Sequence, residues 1–94
     1  MATKFDITLP QIKNCPFCGS EAREYFVNGI SVVMCRNSKC NAKISSNYDA
    51  ITEYISENNL KPFTNENYPN GIYQPNIHAL NAITKWNRRI NNER

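Results

Sequence analysis

Ninety-four residues, 40% of them apolar and with a formal net charge of +3, make one small domain with a thin core, near the size where burial alone stabilises a fold only modestly. Such a chain needs a staple, and its four cysteines are the obvious one. No apolar run approaches a membrane span and residues 1–14 carry no secretory h-region, so the expected setting is the reducing cytoplasm, where paired cysteines hold metal sooner than disulfides.

In chain order, residues 1–12 read as a short extended lead-in ending near Pro10. Cys15-Pro16-Phe17-Cys18-Gly19 is a tight turn. Strand character runs from Glu24 to Met34, broken by Asn28-Gly29, which between two β-rich runs is the strongest short-range hairpin signal. Cys35 to Cys40 makes a second turn, and Ala42 to Ser45 a third strand. Asp49 to Asn58 carries Ala50, Ile51, Tyr54 and Ile55 at helical spacing, with Asn47 or Asp49 placed to cap it. Asn59 to Pro75 is irregular, with Pro62, Pro69 and Pro75, yet its aromatic side chains favour an ordered loop. The last helix takes Asn76 as its N-cap. Its stripe is Ile77, Leu80, Ile83, Trp86 and Ile90, with Ala79 and Ala82 beside them, and the small sheet is its expected partner.

Charge is spread unevenly. Residues 1–60 carry six Lys/Arg against six Asp/Glu, whereas in the last ten Lys85, Arg88, Arg89 and Arg94 oppose only Glu93. A basic end of this kind meets an acidic protein or a nucleic acid by electrostatics; equally, cations at a helix C-terminus complement the helix dipole.

The cysteines carry the clearest chemistry. Zinc takes four protein ligands in a structural site and binds thiolate at about 2.3 Å. Cys15-x₂-Cys18 has the usual spacing, with Gly19 behind it to supply a positive φ. Cys35-x₄-Cys40 is wider but within range, and Asn41 behind it tolerates left-handed geometry. The 16 residues between Cys18 and Cys35 are enough for a hairpin that brings both turns together. The expected fold is therefore a small α+β domain: a zinc ribbon at 13–46, made of a β-hairpin with two cysteine knuckles, packed against a C-terminal α-helix at 77–91, with a helical and loop insertion at 47–76. Cys15, Cys18, Cys35 and Cys40 are the expected ligands of one structural Zn²⁺. Iron remains chemically open in a four-thiolate site. A redox Cys-x-x-Cys would need a βαβ setting that is missing. His78, alone on the last helix, reads as a surface residue.

Cys15-Pro16-Phe17-Cys18-Gly19-Ser20, Val33-Met34-Cys35, Cys40-Asn41-Ala42 and Ala82-Ile83-Thr84-Lys85-Trp86-Asn87-Arg88-Arg89 together resemble the Lar-like restriction-alleviation proteins of phages and prophages. The resemblance covers 13–46 and 77–89. It departs at the second knuckle, where four residues stand in place of the family's two and Asn41 in place of Gly, and at 47–76, which has no counterpart. What it implies is a phage-encoded, non-enzymatic counter-defence protein that binds a host defence complex, with type I restriction-modification the family's associated target. Another nuclease-based immune complex is the alternative target.

On that view Phe63, Tyr68, Tyr73, Arg88 and Arg89 are the candidate partner surface, since Tyr and Arg are enriched at interface hot spots. Packing of the aromatics onto the ribbon is the competing reading, and Trp86, central to the stripe, reads as core. A nucleic-acid module is the second function, with Lys39, Lys43, Lys85, Arg88 and Arg89 for phosphates and Ser20, Arg36 and Asn37 near the knuckles; its binding would fall steeply with salt. An enzyme has least support, with one His and no nucleophile constellation or phosphate loop. Glu21, Glu24, Asp49, Glu53 and Glu57 read as solvated.

Overall fold

The computed structural model describes the backbone of residues 2–92 and the side chains of residues 2–88. The Arg89 and Ile90 side chains and Arg94 thus lie outside the described residues. The elements run β1 (Ala22–Val27), β2 (Ile30–Cys35), β3 (Lys43–Ser45), α1 (Ala50–Glu57) and α2 (Pro75–Asn92). The chain is α+β, with one antiparallel sheet of order β1-β2-β3 and a C-terminal helix.

Asn28 and Gly29 take φ of 52° and 84°, the doubly left-handed pair of a type I′ hairpin, and this fixes the register. Val27 faces Ile30, Tyr25 faces Val32, and Arg23 faces Met34. One face of the sheet is therefore Ala22, Glu24 and Phe26 beside Ser31, Val33 and Cys35, and α2 packs on it.

Two cores share α2. In the first, Ala79, Ala82, Ile83 and Trp86 meet Val33, Cys15 and Cys35, so Ile83 and Trp86 of the expected stripe lie on the hairpin, with Ala79 and Ala82 beside them. Trp86 is wholly buried, and its Nε1–H donates to the Lys13 carbonyl at 2.8 Å. In the second, Ile77 meets Ala50, Ile51 and Ile55 of α1 together with Tyr68 and Ile72 from the loop. The lead-in closes this core. Phe5 and Ile7 pack against it, and Thr3 bridges the loop through Thr3 N–H to the Gly71 carbonyl (2.9 Å) and Tyr73 N–H to the Thr3 carbonyl (2.8 Å).

Several expectations are corrected. α2 starts at Pro75, whose missing N–H costs nothing in the first turn, so Asn76 lies inside the helix and is not its cap. Asn76 Nδ2 instead donates to the Phe5 carbonyl at 3.1 Å, and its Oδ1 is buried without a partner. His78 is 2% exposed, not a surface residue, because α2 is covered by both cores. Its Nδ1 lies 2.8 Å from Ser46 Oγ, which already accepts the Ser31 amide at 3.0 Å. Burial lowers the His78 pKa from its usual 6.5.

Glu24 and Glu53 are half-buried and hydrogen-bonded instead of lying on a fully solvated face. Glu24 accepts Ser31 Oγ–H at 2.7 Å on the covered face of the sheet. Glu53 accepts from Asn47 and Asn81, each at 3.2 Å at its closest. Asn47 thus serves α1 through Glu53, while Asp49 stands at the N-cap without a side-chain bond.

Candidate metal centre

Each knuckle is built by a reverse turn ending in a left-handed residue. In the first, Gly19 N–H donates to the Cys15 carbonyl at 2.9 Å and Gly19 takes φ 78°. Cys15 N–H then donates to the Ser20 carbonyl at 2.8 Å, which turns both thiols inward. The second knuckle has two more residues to place. It does so with an Asn37 turn, in which Lys39 N–H donates to Asn37 Oδ1 (3.0 Å) and Cys40 N–H to the Asn37 carbonyl (2.9 Å). Asn41 follows at φ 59°, in the position Gly19 holds in the first knuckle. The knuckles are joined at their bases, where Arg36 N–H donates to the Glu21 carbonyl at 2.9 Å.

The result is a cluster of four sulfurs, all within 4.8 Å of one another. Cys15 Sγ lies 3.6 Å from Cys40 Sγ, and Cys18 Sγ lies 3.3 Å from Cys35 Sγ. Both short pairs run between knuckles. A tetrahedron with metal–sulfur arms of about 2.3 Å has edges of about 3.8 Å, so the spacing fits one ion at the centre. These are free thiols, far beyond bonding distance of one another. Four cysteines at this distance are compatible with one structural metal ion.

The electrostatics of the set favour a cation. Cys18 is lowered to about 6 by the Ser20 hydroxyl and the Ser20 amide, both donating to its sulfur, so one thiolate is ready near neutral pH. Cys35 is pushed up to about 12, chiefly by burial, although the Asn37 amide opposes this from 3.4 Å. Cys40 is raised as well: the Ala42 amide pulls it down, but burial and the Cys15 and Cys18 thiols outweigh that pull. Four thiolates this close repel strongly, and only a multivalent cation lets all four ionise together. With four sulfurs around one point the shell is closed, which suits a structural ion and leaves no open position for substrate.

Cys15 and Cys35 also belong to the core that holds Trp86. The metal site and the helix therefore rest on each other.

The other expected site residues are scattered. Tyr68 is buried in the second core, its hydroxyl donating to the Lys61 carbonyl at 2.9 Å, so the packing reading holds for it. Phe63 and Tyr73 remain exposed, the first edge-on to Tyr68 and the second beneath Lys4 Nζ at 5.1 Å. Arg88 is exposed. Lys85 is spent internally, donating to the Ser45 carbonyl at 2.6 Å and to Asn47 Oδ1 at 2.9 Å. Among the described residues no helix is long and apolar enough to cross a membrane.

Sequence reasoning missed the chain Glu24–Ser31–Ser46–His78, in which Ser31, Ser46 and His78 are buried and Glu24 half-buried. The signal was present: strand alternation puts Ser31 on the same face as Val33 and Cys35, and a serine there needs a partner. In comparison with known proteins, no family model, no curated protein and no solved structure matches the chain.

Proposed function

We propose that the chain is a zinc-ribbon protein that acts by binding and not by catalysis, and that its target is a host defence complex of the type I restriction-modification kind, engaged from the cytoplasm by a phage-encoded inhibitor. One observation carries this reading. The two separated stretches that resemble the restriction-alleviation family, 13–46 and 77–89, come together as one unit, with Trp86 of the second stretch packed on Cys15 and Cys35 of the first. Zinc is favoured as the ion because four thiolates in a closed tetrahedral shell are its usual structural set. The working surface is then what the staple positions: Phe63 and Tyr73 on the insertion, with Arg88 and Arg89 on the basic end.

A second reading has its own observation. The uncovered face of the sheet carries Arg23, Met34 and Lys43 in one row and Tyr25 in the next, and its acidic neighbour Glu24 points to the other face. Cations beside an exposed aromatic suit single-stranded nucleic acid.

Elemental analysis of purified protein should give one zinc per chain; iron, with its visible absorbance, or no metal would defeat the zinc assignment. Affinity capture from host lysate should recover a restriction subunit, and expression should raise plating of unmodified phage on a type I host. Arg88→Glu with Arg89→Glu should abolish that effect while leaving metal content intact. Binding to single-stranded oligonucleotides that survives physiological salt, without capture of a restriction subunit, would move the conclusion to the second reading.

A further inference from the structure

The two edges of the sheet are guarded very differently. The β3 edge is three residues long, carries Lys43, and has its Ser45 carbonyl taken by the Lys85 ammonium. Those are ordinary defences against edge pairing. The β1 edge is guarded only over its first half, by Arg23 and Glu24. It is six residues long, without proline or bulge, and its last three side chains are exposed apolar groups: Tyr25 (45%), Phe26 (39%) and Val27 (50%).

Its backbone is open too. Ser31 and Cys35 bond towards β3, through Ser46 N–H to the Ser31 carbonyl and Cys35 N–H to the Ala42 carbonyl. The β1–β2 bonds therefore run through Arg23, Tyr25 and Val27, opposite Met34, Val32 and Ile30. The amides and carbonyls of Glu24 and Phe26 point away from the sheet, with no backbone partner among the described residues.

We propose that β1 pairs with β1 of a second copy, antiparallel and centred on Tyr25, making one continuous sheet across a two-fold axis. The sequence of the edge selects this register. Centring on Arg23 or Glu24 sets like charges directly opposite each other, which is unfavourable. Centring on Phe26 runs the pairing into Asn28 and Gly29, whose positive φ carries the chain out of the ladder. Centring on Tyr25 pairs Glu24 with Phe26 of the second copy and Arg23 with Val27. Both outward groups of Glu24 and Phe26 in each copy then find partners, Tyr25 meets Tyr25, and no like charges face. The guarded β3 edge ends the assembly at two copies instead of a fibre.

The test uses metal-loaded protein, in which the native thiols are committed. Light scattering across a concentration series should show the mass rising to that of two chains, and Phe26→Lys, which puts a charge on the edge, should hold it at one. Tyr25→Cys places two thiols at the axis, where directly opposite Cα atoms are about 4.5 Å apart, so mild oxidation should link the copies covalently. Val27→Cys, displaced from its counterpart by about 13 Å along the strands, should not link. A single-chain mass at every concentration overturns the proposal, and so does linkage at position 27 as readily as at 25. The linkage pair decides the matter even if Phe26→Lys fails to fold.

Discussion

Trp86→Ala tests whether the metal site and the C-terminal helix support each other. The indole is wholly buried among Val33, Cys15, Cys35, Ala79, Ala82 and Ile83. Truncating a buried Trp costs about 3–5 kcal/mol in lost transfer energy and cavity, and losing the 2.8 Å bond to the Lys13 carbonyl adds about 1 kcal/mol. Set against a total stability of about 5–15 kcal/mol for a natural domain, this is a large share of the whole, so the variant should be markedly less stable. Trp86→Phe, which keeps the ring burial and loses the N–H, should cost about 1–2 kcal/mol. Urea titration of the metal-loaded proteins, followed by far-ultraviolet circular dichroism, measures both losses. Because the side chain packs on two of the four cysteines, Trp86→Ala should also weaken metal affinity in a chelator competition, by linkage. A loss below about 1 kcal/mol with unchanged metal affinity would refute the shared-support argument.

Three further outcomes are expected. His78 is buried neutral with its pKa lowered, so the fold binds fewer protons than the unfolded chain below pH 6.5. Its contribution is fully present above 6.5 and is lost as pH falls from there towards the folded value, by at most about 1.4 kcal/mol per pH unit. The stability gap between native protein and His78→Gln should narrow over that window in urea titrations, and parallel curves would contradict it. Asn41→Ala should lower stability by about 1 kcal/mol, while Asn41→Gly should be neutral within a few tenths, because only the left-handed φ is at stake. Lys85→Met should cost about 1–3 kcal/mol by removing two charged hydrogen bonds, whereas Arg88→Met should change stability by less than about 0.5 kcal/mol; equal effects would mean that Lys85 is as free as Arg88.

Much of the hairpin and its two cysteine turns was legible because their signals are local. Asn28-Gly29 gives the hairpin, Gly19 and Asn41 give the two knuckle turns, and the spacing of the cysteines gives the cluster. Each of these is settled within a few residues by φ preference or ligand reach. The register that follows from the hairpin even places Glu24 opposite Val33, so its half-buried position on the covered face was implicit in the alternation. What a local reading does not give is the second core. The apolar spacing of Tyr54 does not say what it packs against, and nothing within 10 residues of Phe5 announces that its ring will lie 5.5 Å from Tyr54 and 6.2 Å from Tyr68. His78 escaped for the same reason. One stripe on α2 predicts one covered face, and the insertion supplies a second cover that the helix alone does not reveal.

That second core leads to a sharper expectation about how the molecule is divided. The first core is held by the cysteine cluster and Trp86; the second has no cysteine and is closed by the lead-in. Removing residues 2–8 takes away the Thr3 bridge to Gly71 and Tyr73, the Phe5 ring, the half-buried Ile7, and the Phe5 carbonyl that Asn76 Nδ2 uses. Burial of those two side chains is worth about 2–4 kcal/mol, and the hydrogen bonds add to it. The insertion should therefore loosen, with amide exchange rising across α1 and residues 60–73. The hairpin amides and the metal content should be unchanged, since Cys15, Cys35 and Cys40 pack in the first core. If truncation released the metal as well, the two cores would be one cooperative unit, and α2 would be transmitting the loss from Ile77 to Trp86 along its own length. If exchange in α1 did not change, the lead-in would be a passenger and the second core would be held by Ile77 and the loop alone.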